Sequence, residues 1–398
     1  MERNFILFDT PARDLLYPFT YTRPVAACRV GILTIQEKWE QWFGTTNVSH
    51  FTMSYLQEKY PLRLGKAQVV HVLISGHILP DEALVATINE LKPGQELYKN
   101  NHLMVKVVPG TDLTLPAEDR KNYTGPVTTI DMPWHLFAYN DKAIRDDFAL
   151  LTRGRSSAPI PASNQVTAPE NIFLEPGAVV EHSVLNAGTG PIYIGKDAQV
   201  MEGCLIRGPL ALGEGAVLKM GTKVYGATSL GPGCTGGGEI KNILMFGYSN
   251  KGHDGYLGDA VLGEWCNLGA NTSCSNLKNN AGEVKVWMEA RKEAWPAGRK
   301  CGVLMGDYSR CGINTMLNTG TVIGVSCNVF GGDFPPKFLP SFSWGGGEKP
   351  AVYRIKEAMR DAAAWMGFKG RELAEADRKI LAAVYDLVVK NDEDEQII

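Results

Sequence analysis

The sequence predicts an α/β domain followed by a long parallel β-helix and a short helical tail. Three observations carry this. Seven aliphatic residues, Ile194, Val200, Ile206, Leu212, Leu218, Val224 and Leu230, recur every six residues without a slip. Strand-like and helix-like runs alternate before residue 152, and two amphipathic helical patterns follow residue 346. No α-helix or ordinary sheet repeats with a period of six. That period belongs to coils of short strands turning through three faces, each coil stacking its apolar corner on the next.

In chain order, FILF (5–8) and VVHVLISG (69–76) read as buried strands, and IQEKWEQWF (35–43) as an amphipathic helix. PDEALVATINEL (80–91) opens with proline and acids before an apolar periodicity, a helix start. The alternation predicts a mainly parallel sheet over 1–152. Serine, alanine and proline in RGRSSAPIPASNQVTAP make 153–169 a linker. The coils occupy 170–345: Tyr256, Leu262, Leu268 and Cys274 hold the period, as do Met305, Cys311, Leu317, Ile323 and Val329. Between them, Ser275 to Lys300 is a charged insertion with Trp287 and Trp295, expected to protrude and reach a neighbouring subunit. The tail, 346–398, carries two amphipathic helices and a fraying acidic end, NDEDEQII.

Composition narrows the function. Forty Lys and Arg against 43 Asp and Glu leave a net charge of −3, so nothing favours nucleic acid or an anionic membrane surface. Eight cysteines without a CxxC pair read as reduced, packed thiols. The N-terminus lacks a secretory pattern and no run approaches the ~20 apolar residues of a membrane span, which predicts a cytoplasmic protein.

The reactive stretch is YSNKGHDGYLGDAVLGEWCNLGANTSCSNLKNN (248–280). His253 stands between Gly252 and Gly255, on an open turn where its imidazole can meet a ligand. Tyr256, Asn267 and Asn276 follow. A neutral imidazole beside amide and hydroxyl groups suits acyl transfer, in which a base takes the proton of an attacking amine and donors stabilise the oxyanion.

The offsets from His253 to Tyr256, Asn267 and Asn276, after the run IKN, resemble the acetyltransferase core of GlmU-like bifunctional enzymes, closest to the archaeal type. That family joins a nucleotidyltransferase domain to a left-handed β-helix and makes UDP-N-acetylglucosamine from glucosamine-1-phosphate, acetyl-CoA and UTP. The resemblance implies His253 as general base, Asn276 as a catalytic polar group, and Tyr256, Asn267, Arg207 and Lys285 as contacts to the amino-sugar phosphate. It further implies acetyl-CoA along KCGVLMGDYSRCGINTMLNTGTVIGVSCNVFGG, with Asn314 and Gly331 near the thioester or pantetheine, and a homotrimer sharing that site between subunits.

The first domain resembles the family through YPFTYTRP (17–24) and departs from it elsewhere. The glycine-rich phosphate loop is replaced by FDTPARDLL, Val25 stands where a lysine is expected, and His77 replaces the aspartate that holds magnesium. Arg13, Arg23 and Arg29 are the cations left to meet a nucleotide, with Mg2+ as their partner ion. Such degeneracy resembles a divergent bacterial branch of the family. Alternatives are an enzyme with one active domain, a nonenzymatic trimeric scaffold that binds sugar nucleotides, and a γ-carbonic-anhydrase-like metalloenzyme. The solenoid's two histidines, His182 and His253, are too few for that last site.

Overall fold

The computed structural model describes residues 2–66 and 68–390, so the acidic end at 391–398 lies outside the described residues. The chain divides into two compact units. One comprises Met1–Leu16, Arg23–Cys28 and Leu33–Asp131; the other comprises Tyr17–Thr22, Arg29–Ile32 and Met132–Ile398.

In the first unit, strand Arg3–Phe8 lies between Ser49–Phe51 and Val70–Ser75, parallel to both. The other half of the sheet departs from the expected parallel pattern. His102–Pro109 runs antiparallel to both Val70–Ser75 and Gln95–Lys99. Asn100 and Asn101, both at positive φ, supply the tight reversal between the last two strands. Helix Ile35–Phe43 starts on a capping box in which Thr34 and Glu37 exchange side-chain and backbone bonds, and it stops at Gly44 in the left-handed region. Helix Glu82–Glu90 starts at Asp81, whose carboxylate accepts from Leu84 N.

The second unit is a parallel β-solenoid followed by the helices Ile355–Phe368 and Glu375–Tyr385, the first of which lies alongside the coils, with Trp365 5.4 Å from the Arg310 guanidinium. Three inward columns fill it. Leu174, Ile194, Leu212, Leu230, Met245, Leu262, Met305, Ile323 and Leu339 form one; Leu185, Ile206, Val224, Ile240 and Leu257 begin another. The repeat slips at Tyr256. Its ring is half-buried on the outside and Leu257 points inward, because the inward positions between Gly236 and Leu262 fall at spacings of four to six residues. All eight cysteines are free and buried, and burial pushes the Cys234 and Cys274 thiols up to about 12.

Several boundaries differ from expectation. The first coil strand, Gln165–Thr167, lies in the predicted linker and pairs with Val184–Asn186. Helix Asn140–Thr152 belongs to the solenoid unit, where Asn140 donates to Ala227 O at 2.6 Å and accepts from Ser229 Oγ at 3.0 Å. The insertion is an antiparallel hairpin, Lys285–Met288 against Glu293–Pro296. It folds back on its own chain: Val284, Val286 and Met288 are buried, and the Trp287 ring lies 5.9 Å from Phe338.

Part of YPFTYTRP also belongs to the solenoid unit. Thr22 Oγ1 donates to Asp307 Oδ2 at 2.7 Å, and the Phe19 ring packs 5.3 Å from Phe246. Those six residues are therefore held by packing, independently of any nucleotide. No helix among the described residues is long and apolar enough to cross a membrane.

Candidate functional site

His253 is exposed on the turn between strands Asn250–Lys251 and Tyr256–Glu264. That turn is one of a stack. A Cβ at Gly237 would fall 2.6 Å from Gly252 O, and one at Gly255 would strike the backbone of Asn271 and Thr272. Asn314 N donates to Ala270 O at 2.7 Å, and a Cβ at Gly312 would meet Phe330 at 3.4 Å. Asn314 and Gly331 thus occupy the same edge as His253, two and three coils farther on. At the ~4.8 Å spacing of paired strands this is roughly 10 and 14 Å. Both are exposed, and nothing lies within 4 Å of a Cβ at Gly331.

Beside the turn sits a polar cluster organised by Asp259, a residue the sequence reading passed over. Asp259 is 6% exposed; its carboxylate accepts from Asn242 Nδ2 at 2.7 Å and from Asn276 Nδ2. Asn242 and Asp259 both have positive φ, so two left-handed residues 17 apart stack and aim their side chains at one another. Fixing the amide nitrogen of Asn276 in this way leaves its carbonyl oxygen to accept from an incoming amine. The Tyr256 hydroxyl lies next to that amide: a Cβ at Gly258 would collide with both. Burial, then the charges of Asp259 and Glu239, push the Tyr256 phenol up to about 12. It therefore stays an O–H donor at physiological pH and cannot serve as the base.

The outward register locates the basic residues. Arg207, Tyr225, Lys241 and Gly258 are successive partners on adjacent coils. Lys241 is one coil from Gly258 and Arg207 three, about 5 and 14 Å along the axis. Lys241 is thus the nearer cation. Its signal was the lysine of IKN, immediately before the left-handed Asn242. Asn267 accepts from Asn250 Nδ2 at 2.8 Å on an adjoining face. Lys285 is placed elsewhere, on the hairpin next to Gly320.

The first unit holds a cavity of about 600 Å³ lined by Thr10, Ser75, His77, Lys99, His102 and Asp131 together with apolar side chains. His77 is buried. Its Nδ1 donates to Ile130 O at 2.8 Å, leaving Nε2 to accept from Thr10 Oγ1 at 3.1 Å. Arg13, Arg23 and Arg29 are not among the lining residues, and all three are buried. Arg13 pairs with Asp9 at 3.3 Å and Asp14 at 3.2 Å. Arg29, in the solenoid unit, donates to the carbonyls of Phe246 and Ile32. Where a phosphate-wrapping loop was sought, Asp9 accepts from Val25 N at 3.0 Å and Thr52 Oγ1 at 2.6 Å and pins a 3₁₀ turn, Pro11–Leu16.

Residues 5–156 match the family model described as sugar nucleotidyl transferase. Bifunctional protein GlmU of Methanocaldococcus jannaschii is 34% identical over 89 residues, 22% of this chain and 21% of that protein. About a fifth of the chain is similar to part of that bifunctional enzyme. A bifunctional sugar-1-phosphate nucleotidylyltransferase/acetyltransferase of Sulfurisphaera tokodaii is 33% identical over 94 residues, 24% of this chain and 23% of that protein. The match thus spans about a fifth of the length of these relatives. Among solved structures, the polySia specific acetyltransferase NeuO aligns with 53% of this chain and 99% of its own at 11% identity and a TM-score of 0.25.

The GlmU-like resemblance implies a magnesium ion in the first unit. Both His77 nitrogens are engaged, Asp81 is committed to its helix cap, and among the described residues Asp131 is the one carboxylate lining the cavity. No cluster of three His, Cys, Asp or Glu side chains suited to a metal occurs among the described residues. This donor set does not fit a magnesium ion held by the protein alone.

Proposed function

We propose that the solenoid transfers the acetyl group of acetyl-CoA to the amine of a hexosamine-1-phosphate such as glucosamine-1-phosphate. The observation that carries this reading is the Asp259–Asn276–Tyr256 cluster beside the exposed His253 turn, with Lys241 one coil away. His253 takes the proton of the amine as its nitrogen attacks the thioester carbonyl, and Asn276 Oδ1 holds that nitrogen in line. The tetrahedral intermediate then collapses: the C–S bond breaks, and the leaving thiolate takes the proton from the imidazolium. Tyr256 donates to a sugar oxygen, and Lys241, with Arg207 farther out, meets the phosphate. The edge from His253 to Asn314 and Gly331 is long enough for an extended pantetheine arm. Asn267 keeps a supporting part beside the sugar, and Lys285, on the hairpin next to Gly320, is left out of this set. In this reading the protein is a cytoplasmic homotrimer that supplies UDP-N-acetylglucosamine synthesis.

For the first unit we propose nucleotide binding in the His77 cavity, with nucleotidyl transfer slow or lost. The locked His77 ring and the pinned 3₁₀ turn support this second reading over full bifunctionality. Glucosamine-1-phosphate, acetyl-CoA, UTP and magnesium given to the protein should yield free CoA and an acetylated sugar phosphate. No CoA release from any hexosamine phosphate would refute the solenoid reading. Rapid formation of a nucleotide sugar would refute the second.

A further inference from the structure

One inward column of the solenoid runs Val180, Val200, Leu218, Gly236, Lys251, Leu268, Cys311 and Val329. Seven of these are apolar side chains or glycine; the fifth is a lysine, 0% exposed, in a position a coil normally fills with an aliphatic group. Gly236, its partner on the coil before it, has no side chain, and the space beside it is taken by Leu218, Leu230 and Ile240. Among the described residues the ammonium meets no carboxylate at hydrogen-bond distance. Its two acceptors are the main-chain carbonyls of His253 and, at 3.1 Å, Asp254. Burial is the dominant influence on it and pulls its pKa down to about 8, with the Asp254 charge opposing; Asp254 and the neighbouring His253 are the titratable groups of that turn.

A charge in an apolar column works against stability unless its hydrogen bonds do something else. Here both bonds end on the turn that presents the candidate base. Viewed from outside, that turn is exposed and flanked by Gly252 and Gly255, the latter at φ +110°, and it packs on the adjoining coils through Gly238 and Thr272, so Lys251 adds to those contacts from within. We propose that Lys251 is a positioning residue for acetyl transfer: from inside the solenoid it clamps the backbone of His253 and Asp254 and so sets where the imidazole stands. The inference rests on His253 being the base of that reaction, but the clamp can be tested without it.

Lys251→Met has an apolar chain of comparable length, suited to the column, so the fold is retained. Two measurements are made on the full-length protein. In the first, amide hydrogen exchange over 252–255 should accelerate at least ~10-fold in the variant while the Leu257–Leu262 strand stays unchanged. In the second, kcat for acetyl transfer should fall ~10- to 100-fold with little change in KM for acetyl-CoA. The wild-type rate should also decline above about pH 8 as the ammonium deprotonates, and the variant should lack that decline. Unchanged exchange at 252–255 overturns the clamp, whether or not the protein acetylates anything. Faster exchange with wild-type kcat and an unaltered alkaline limb overturns the positioning role. If neither protein releases CoA, the acetyl-transfer reading itself has failed, and the exchange result still decides the clamp.

Discussion

Asp259→Asn isolates the group that organises the candidate site. The carboxylate is 6% exposed and accepts from two amides, Asn242 Nδ2 at 2.7 Å and Asn276 Nδ2. An asparagine there can turn its oxygen toward one partner, but its NH2 then faces the other, donor against donor. Each bond to the charged acceptor is worth about 1.5–3 kcal/mol, and a stranded buried donor costs about 1–3 more. Asn276 is half-buried, so water recovers part of this. The expected net loss is about 2–3 kcal/mol of stability. Release of the Asn276 rotamer should lower kcat ~10- to 100-fold. KM for acetyl-CoA should hold, because Asn314 and Gly331 lie two and three coils away. Urea unfolding measures the first effect. Thiol release from acetyl-CoA measures the second, with the protein's own cysteines all buried and silent. Unfolding within about 0.5 kcal/mol of wild type together with full turnover would show that Asp259 does not order the site.

His253→Ala should lose ~100-fold or more in acetyl transfer with an unchanged melting temperature, since the residue is exposed and outside the core columns. Lys241→Ala should raise KM for the sugar phosphate more than Arg207→Ala does, as steady-state kinetics with varied sugar phosphate will read out. UTP should bind the first unit equally well in magnesium and in EDTA; calorimetry showing strictly magnesium-dependent heat would contradict the His77 assignment. Lys251 has a folded pKa near 8 against an ordinary 10.5, so the unfolded chain binds more protons between those values and its contribution to stability rises with pH across that window. The difference in unfolding free energy between Lys251→Met and wild type should therefore shrink from pH 7 to pH 10.

The hexad of Ile194 to Leu230 was legible because each residue of that run fills one inward slot per third of a coil. Tyr256 was misplaced because spacing alone cannot register a turn that changes length, and two of the spacings between Gly236 and Leu257 fall short of six. The His253, Tyr256 and Asn276 offsets pointed to one neighbourhood, and the structure brings Tyr256 and Asn276 together there. Asp259 escaped notice because its role depends on pairing across coils: neighbours in space stand 17 residues apart in sequence. Lys251 was invisible for a related reason, since only the register of its column shows that it points inward. Arginines 13, 23 and 29 illustrate the converse. Sequence shows a cation, but burial and partners show how its charge is used.

The short stretch Tyr17–Thr22 has a consequence for biosynthesis. It is synthesised well before its partners: Thr22 finds Asp307 across 285 positions, and Arg29 finds the Phe246 carbonyl across 217. At translation rates of roughly 5–20 residues per second, the wait is about 15 to 60 s. Until then Phe19 and its neighbours are exposed on a nascent chain whose surrounding strands can already pair. A truncated message, or a fusion that delays the distal coils, would leave that apolar segment open to chaperones and proteases. Early recognition by a holding chaperone at residues 17–32 would be the signature in ribosome-bound intermediates.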